Sequence, residues 1–385
     1  MTPARVREED SLSPSQLLWW LIGNRLVLLL LVFAALMLYP DQLVPGTWQA
    51  LPKHPFFDGW IRWDAGWYHQ IARQGYDNLP SNGLQRDTAF FPLFPLLTQL
   101  LGKLIGDFGV AGLLIANLSC GLACVTLYRL TRRRFGSLTA ERTLLLLLFY
   151  PFSFYLTSMH TEPLFLFLVV AAFDCADKKE WLRAALFAAA ASATRSVGVL
   201  VGIGVLLSYL EAIKFDLRRV QTDILYLLLC PVGLLSHMLF LWKRFGDPLQ
   251  FVKSQVAPGW AGSFLLTDPP TQTAEPATLA SLGPRLLTWI GGNYGLLLAL
   301  GALLILLGAR RKLPLSYLAW SVLTIVVSLS SRGSLGRFLI VIFPVFVAAA
   351  SYRWPRRLWL VALSLGGVLL AALSVYQALG HWVAG

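Results

Sequence analysis

The stretch "LLWWLIGNRLVLLLLVFAALMLY" at residues 17–39 contains a single charged side chain, Arg25. About 20 apolar residues in a helix cross the hydrocarbon core of a bilayer, so this stretch predicts a membrane span. Arg5 and Arg7 precede it, as in a signal peptide, but the run is longer than a signal-peptide core and lacks a clear small-residue cleavage site. We therefore expect an uncleaved first span, with Arg25 reaching toward the cytoplasm.

The chain as a whole is also rich in apolar residues. Of its 385 residues 56% are hydrophobic and 14% are charged, and the mean hydropathy is +0.63. This composition excludes an ordinary soluble protein and predicts an all-α polytopic membrane protein, a single domain over residues 1–385. Hydropathy and Lys/Arg placement predict about eleven spans. They lie at 17–39, 108–130, 143–159, 163–176, 183–194, 197–210, 223–242, 285–308, 315–330, 336–351 and 358–379.

The basic residues explain the net charge of +12 without a nucleic-acid partner. They cluster in short links between apolar runs, such as "RLTRRRFG" at 129–136, "ARRK" at 309–312 and "RWPRR" at 353–357. This is the positive-inside pattern, which favours a cytoplasmic N-terminus and membrane lipids as neighbours. The four cysteines fall inside apolar runs without zinc-type spacing, so we interpret them as small buried residues.

The segment "AFFPLFPLLTQLLGKLIG" at 89–106 decides the topology. Pro92 and Pro95 spoil the start of a regular span, and a surface position for the segment leaves most basic residues in the cytoplasm. We therefore predict a helix along the membrane interface. Two long non-cytoplasmic loops follow, at 40–107 and 243–284, separating spans in 17–39, 108–242 and 285–379.

The first candidate site is "RWDAGWYHQIARQGY" at 62–76. Trp63 and Trp67 share one helical face, and Asp64 and Tyr68 fall one step around it. The pattern predicts a short amphipathic helix on the membrane surface, with tryptophan at the level of the headgroups and the acid turned toward a cavity.

An ionised carboxylate beside a lipid interface is costly unless it has a partner or a task. Asp64 therefore has two interpretations. Either it pairs with Arg62 or Arg73 on a solvated face, or it acts chemically in a cavity.

The second candidate is "SMHTEP" at 158–163, a short link between two predicted spans. His160 and Glu162 lie on the same side of the membrane as Asp64 in this topology. Two acids and an imidazole can bind a divalent metal or activate a hydroxyl. The alternative is local, because Glu162 followed by Pro163 also suits the first turn of a helix.

Lone arginines form the third candidate. Arg195 in "SATRSVGVL" has no acid near it in sequence, and Arg332 and Arg337 in "SSRGSLGRFLIVIFP" fit the same description. A guanidinium at membrane depth requires a partner, which is either a phosphate or an acid from another helix. The sequence contains no Walker loop, dinucleotide fingerprint or nucleophile elbow, so ATP and nucleotide sugars have no support.

Six segments of the sequence, taken in order, resemble the PIG-V-type mannosyltransferases, whose eukaryotic members are GPI mannosyltransferase 2. They are "RWDAGWYHQIARQGY", "AFFPLFPLL", "YPFSFYLTSMHTEPLFLFL", "SATRSVGVL", "RFGDPLQFVKSQ" and "SSRGSLGRFLIVIFP", from about residue 57 to 350. The resemblance implies a GT-C glycosyltransferase with a non-cytoplasmic active site. It implies transfer of a hexose, most simply mannose, from a polyprenyl-phosphate carrier with inversion, and Asp64 as the general base.

The resemblance also suggests roles for the other candidates. Arg195, Arg332 and Arg337 would bind the donor phosphate. The remaining substrate contacts would come from Trp63, Trp67, Tyr68, His160, Glu162, Gln255 and Trp260. "WDAGW" is not a DxD motif, so we expect no cofactor, and a divalent metal at Asp64, His160 and Glu162 stays an alternative.

The acceptor is left open by the resemblance. The chain is short and lacks obvious luminal insertions, which favours a prokaryotic plasma-membrane relative acting on a lipid, glycan or protein. Two other hypotheses remain. One is a transporter or flippase for a lipid-linked or anionic solute, which would use the same arginines. The other is a non-catalytic membrane partner of a glycosyltransferase. The acid in a long loop favours catalysis, whereas paired broken helices at the bilayer midplane would favour transport.

Overall fold

The computed structural model describes residues 14–52, 54–77, 86–255, 279–329 and 334–381. These ranges contain helices and turns and no strand, as the all-α prediction requires. The helices are α1 (Pro14–Leu38), α2 (Pro55–Asp58), α3 (Asp64–Gln74), α4 (Leu93–Ile105), α5 (Phe108–Phe135), α6 (Ser137–Leu148), α7 (Glu162–Asp177), α8 (Trp181–Ser192), α9 (Val199–Ala212), α10 (Val232–Phe245), α11 (Gln250–Gln255), α12 (Leu279–Gly308), α13 (Leu315–Ser328), α14 (Leu335–Leu339), α15 (Phe343–Ala350) and α16 (Arg356–Ala378).

Four helical stretches in the described ranges are long and apolar enough to cross a membrane. They are Trp19–Leu38, Phe108–Phe135, Thr222–Phe245 and Arg356–Ala378, the third being a 3-10 segment that leads into α10. Five apolar helices of 10 to 17 residues accompany them. The chain is an integral membrane protein, and its shorter helices pack among the long ones.

Two predicted spans are interrupted. The span expected at 143–159 ends as a helix at Leu148, and the one expected at 336–351 divides into α14 and α15. Pro151 and Pro344 follow the two breaks closely, and proline both lacks an N–H donor and disfavours a helical residue before it. The interruptions place non-helical backbone inside the bundle, where polar side chains can gather.

These turns meet at one end of the bundle, which we call the site end. The backbone N–H of Met159 donates to the carbonyl of Trp60 at 3.1 Å. Gly112 of α5 lies so close to Met159 that an added Cβ would be 2.4 Å from the methionine methyl group. The link between α6 and α7 is therefore packed directly against the link before α3, which brings both candidate motifs together.

The opposite end of the bundle is fastened by ion pairs between α5 and α7. Arg133 binds Asp174 at 2.8 Å and Asp177 at 2.6 Å, and Arg134 also binds Asp177. Part of the "RLTRRRFG" cluster thus has protein partners, where the sequence suggested lipid neighbours.

Arg25 corrects one expectation. Its guanidinium does not extend along the helix toward the cytoplasm but donates to the carbonyl of Ser153 at 3.2 Å and to the hydroxyl of Thr157. The broken link between α6 and α7 supplies these acceptors inside the bundle, so the cation is solvated by protein groups.

The segment predicted to lie at the interface forms α4, which is 13 residues long. At 1.5 Å per residue it spans about 20 Å, less than the roughly 30 Å of a hydrocarbon core. Leu96, Leu100 and Leu104 form an exposed apolar stripe on one face, and Phe94 and Thr98 are buried on the other. This amphipathic pattern agrees with a helix at the surface of the membrane.

Asp107 caps α5, the longest helix near the site. Its carboxylate accepts a hydrogen bond from the backbone N–H of Val110 at 2.9 Å. We expect Asp107→Ala to lower the free energy of unfolding by about 1 kcal/mol, because the first turn loses its side-chain acceptor. Thermal unfolding in detergent measures the effect, and Asp107→Ser, which keeps a capping oxygen, should retain most of the stability. Equal losses in both variants would contradict the capping role.

Candidate functional site

α3 begins at Asp64 because the preceding residue leaves helical geometry. Trp63 has φ 55° and ψ −120°, a conformation that a bulky side chain rarely adopts. Trp63 Nε1 donates to the carbonyl of His381 at 3.2 Å, which holds the tryptophan in place. Strained backbone of this kind tends to lie at functional sites, and here it aims the next side chain, Asp64, into the bundle.

The expected partners of Asp64 are wrong. Arg62 is buried and binds Asp58 at 2.7 Å and the carbonyl of Ala378 at 2.9 Å, so it is fully engaged elsewhere. Arg73 is an exposed residue of the last turn of α3 and forms no ion pair with Asp64. The carboxylate instead binds Arg337 of α14, through Asp64 Oδ2 and Arg337 Nη1.

Arg337 joins the two candidate acids. Its Nε donates to Glu162 Oε1 at 2.5 Å while its Nη1 binds Asp64. The side chain is only 3% exposed, and its guanidinium lies 4.8 Å from the ring centre of Tyr155. A buried guanidinium needs a carboxylate partner, and Arg337 has two.

Arg195 extends the network from the turn before α9. It binds Glu162 Oε1, and its Nη1 lies 3.2 Å from the hydroxyl of Thr161. The order of charges is therefore Asp64, Arg337, Glu162 and Arg195, two acids and two bases with no formal excess. We call these four residues the charged network. Asp64 and Arg195 are 19% and 14% exposed, whereas Glu162 is completely buried, so the ends of the network are its accessible members.

Glu162 has the local role that the sequence offered as the alternative, and it forms ion pairs as well. It is the first residue of α7, with Pro163 in the first turn, as the local interpretation expects. Its carboxylate also binds both arginines. Because α7 starts at Glu162, the side chain points across the bundle toward both arginines. The residue that begins the helix therefore also forms the ion pairs.

His160 lies beside the network without joining it. Its Nδ1 is 2.9 Å from the Ser158 hydroxyl, and its ring packs edge-on against Tyr155 at 4.9 Å. Burial, with the nearby Arg337, lowers the pKa of His160 to about 3, so the imidazole is neutral. Among the described residues, His160 Nε2, Tyr155 Oη and Glu162 Oε2 are buried without a hydrogen-bond partner. These three atoms can form hydrogen bonds with a bound molecule.

The aromatic residues Trp67 and Tyr68 of α3 both pack against Phe90. Trp67 stacks on Phe90 with ring centres 5.9 Å apart, and Tyr68 packs edge-on against the same ring at 5.0 Å. The Tyr68 hydroxyl lies 3.3 Å from that of Thr161, beside the charged network. Burial, and after it the charge of Asp64, raises the pKa of Tyr68, so the phenol keeps its proton.

The metal alternative finds no geometric support. No group of three His, Cys, Asp or Glu side chains in the described ranges is arranged to hold an ion. The Arg337 guanidinium lies between Asp64 and Glu162, where a shared metal would have to bind. The donor set of Asp64, His160 and Glu162 therefore does not fit a divalent cation in this conformation.

Of three further candidate residues, one lies away from the charged network and two lie outside the described residues. Gln255 donates from Nε2 to the carbonyl of Ala89 at 3.2 Å, which fastens α11 to the turn at 87–89 rather than to the charged network. Arg332 and Trp260 lie outside the described residues.

Sequence reasoning missed Tyr155, Thr161 and the pair of Asp58 with Arg62. The spacing of Asp58 and Arg62, i and i+4, is a signal that could have revealed that pair.

The arrangement of long and short helices is similar to the fold of solved GT-C membrane glycosyltransferases. One similar solved structure is that of ArnT from Cupriavidus metallidurans bound to undecaprenyl phosphate. The two share 16% sequence identity with a TM-score of 0.51, over 92% of this chain and 64% of ArnT. This chain thus spans less than two thirds of the length of ArnT, and the likeness concerns the fold.

Other comparisons add context. Residues 87–242 match the family described as dolichyl-phosphate-mannose-protein mannosyltransferase. The oligosaccharyltransferase AglB from Archaeoglobus fulgidus, solved in complex with an inhibitory peptide and a dolichol-phosphate, has 13% identity and a TM-score of 0.45 over 93% of this chain and 56% of AglB. No curated protein matches the sequence.

Proposed function

We propose that the protein is a membrane glycosyltransferase that transfers a hexose, most simply mannose. The donor is a polyprenyl-phosphate-linked sugar, and the acceptor is a hydroxyl of a lipid, glycan or protein. The observation that carries the proposal is the charged network, in which Asp64 at the start of α3 binds the buried Arg337 beside Arg195 and Glu162. It supplies an accessible carboxylate and two guanidiniums at one end of a GT-C-type bundle.

In the proposed reaction Asp64 is the general base. It accepts the proton of the acceptor hydroxyl as that oxygen forms a bond to the anomeric carbon of the hexose. The bond between this carbon and the phosphate oxygen breaks, and polyprenyl phosphate leaves with the electron pair. Attack opposite the leaving group inverts the anomeric configuration.

The departing phosphate gains negative charge, which fixed cations stabilise. Arg337 and Arg195 are the proposed cations, with Arg332 as a third, and each guanidinium can donate two parallel hydrogen bonds to phosphate oxygens. Because both described arginines are now bound to acids, the donor phosphate would compete with Asp64 and Glu162 for them. Release of Asp64 from Arg337 would leave its carboxylate available to accept a proton.

Other residues have proposed supporting roles. The unpartnered polar atoms of His160 and Tyr155 would contact the hexose, and the aromatic rings of Trp63, Trp67 and Tyr68 would border the substrates. Gln255 and Trp260 would approach from the second long loop. The PIG-V type, a non-cytoplasmic orientation of the site end and a prokaryotic plasma membrane belong to the same proposal and rest on the ordered motifs and on the distribution of basic residues.

Purified protein tests the class of reaction directly. Polyprenyl-phosphate mannose labelled in the sugar is incubated with the protein and with lipid or peptide acceptors. We expect label to appear in the acceptor, with one polyprenyl phosphate released per hexose transferred. Movement of the intact labelled lipid across liposomes without cleavage of the sugar–phosphate bond would instead favour the transporter hypothesis.

A further inference from the structure

A cavity of about 610 Å³ lies on the face of α3 next to that of Asp64. Its walls come from three separate parts of the chain, namely residues 44–48, α3 and Gly380 at the end of α16. The backbone N–H of Val44 donates to the carbonyl of Leu379 at 2.9 Å and holds the first and third walls together. The volume falls within the roughly 300–1,000 Å³ that is usual for small-molecule sites.

Three tryptophans, Trp48, Trp63 and Trp67, form the aromatic part of the wall. The Trp48 indole lies so close to α3 that a Cβ at Gly66 would be 3.3 Å from it. The hydrogen bond from Trp63 to His381 and the strained backbone of Trp63 fix the second ring. Rigid, half-exposed indoles present flat apolar faces at small entropic cost, and such faces pack against the C–H surface of a pyranose ring.

Polar side chains of α3 complete the wall. Gln70, Arg73 and Gln74 line the same cavity, one helical turn apart. Of the two arginines there, Arg62 is neutralised by Asp58. Arg73 is exposed and has neither an ion pair nor a hydrogen bond within the described part of the chain.

Arg73 therefore differs from the arginines of the charged network, which are already paired. The neighbouring His69 does not add charge, because burial, and after it Arg73, lowers the pKa of its imidazole. The cavity wall thus contains one unneutralised cation, two amides and three indoles.

We infer that this cavity binds the acceptor and that the acceptor is a saccharide with an anionic substituent, its sugar ring against the tryptophans and its anion at Arg73. Amide groups at Gln70 and Gln74 match sugar hydroxyls as donors and acceptors. Trp63 lines the cavity and directly precedes Asp64, whose side chain lies on the next face of α3 and is not part of the cavity wall. A sugar bound in the cavity would have to extend a hydroxyl past Trp63 to reach the proposed base. This inference rests on the proposed function for the identity of the ligand as acceptor, and its binding part can be measured without transfer.

The test uses equilibrium dialysis of the full-length protein in detergent with three probes, α-1,6-mannobiose, its 6-phosphate and inorganic phosphate. We expect the phosphorylated disaccharide to bind more tightly than the neutral one, and inorganic phosphate to bind weakest. Arg73→Ala should weaken the phosphorylated probe roughly 10- to 100-fold, as loss of a hydrogen bond to a charged group requires, and leave the neutral probe little changed. Trp48→Ala should weaken both sugars. Arg310→Ala, an exposed arginine at the opposite end, is the matched control.

Three results would overturn the inference. They are failure of both sugars to bind, equal binding of inorganic phosphate and the phosphorylated sugar, and binding that is unchanged in Arg73→Ala. Displacement of the sugar probe by micellar phosphatidylglycerol through Arg73 would assign the cavity to a lipid headgroup and also overturn it.

Failure of the proposed function has a different signature. In that case hexose transfer is absent from the native protein while probe binding and its dependence on Arg73 persist.

Discussion

Asp64→Asn is expected to lower the rate of hexose transfer by about 10²- to 10⁴-fold, the usual contribution of a positioned general base. The asparagine amide keeps an oxygen that can accept the hydrogen bond from Arg337, so the geometry of the charged network should survive. It cannot accept the proton of the acceptor hydroxyl. The loss should therefore appear in kcat, with the donor KM little changed.

Asp41→Asn is the matched control for this prediction. Asp41 is an exposed acid in the 3-10 turn Pro40–Gln42 that follows α1, at the same end of the bundle as Asp64. It should transfer hexose at the native rate. Full activity in Asp64→Asn would remove the proposed base, whatever the fate of the other residues.

Arg337→Met is expected to lower the free energy of unfolding by about 3–5 kcal/mol, because it leaves two acids without their shared cation. Glu162 suffers most, since it is completely buried and would retain only Arg195. Thermal unfolding in detergent measures the loss, and Arg310→Met at the exposed opposite end should behave as native. A change within about 0.5 kcal/mol would contradict the pairing described here.

A second variant separates stability from function. Arg337→Met combined with Glu162→Gln removes one base and one acid, and coupling between neighbours should make the double variant more stable than the sum of single effects. Transfer should nevertheless stay low, because the donor phosphate would lose a proposed cation. Recovery of both stability and transfer would show that Arg337 has a structural role alone.

Much of the fold could be predicted from the sequence because the hydropathy of a segment depends on its own length and composition and not on contacts with distant residues. The first span at 17–39 and the helix at 108–130 correspond to α1 and α5. The breaks at 149–161 and 340–342 were not predicted. The first break contains Pro151, and the second is followed by Pro344 in the first turn of α15. In both places the apolar run continues, and hydropathy does not distinguish a helix from a turn that is buried among other helices.

The four residues of the charged network could be singled out from the sequence, but their pairing could not. Asp64, Glu162, Arg195 and Arg337 each stood out as a charge that needs a partner in an apolar setting. Which acid pairs with which arginine depends on contacts between residues separated by 175 positions for Glu162 and Arg337 and by 273 for Asp64 and Arg337. Such contacts follow from the packing of the bundle. Local spacing instead suggested Arg62 and Arg73 for Asp64, and both were wrong.

The central claim is that the charged network receives the donor phosphate, and a structure of the protein with bound polyprenyl phosphate tests it most directly. We predict phosphate oxygens about 3 Å from the guanidinium nitrogens of Arg337 and Arg195, with Asp64 released from Arg337. A phosphate bound elsewhere, with both guanidiniums still paired to Asp64 and Glu162, would contradict the account.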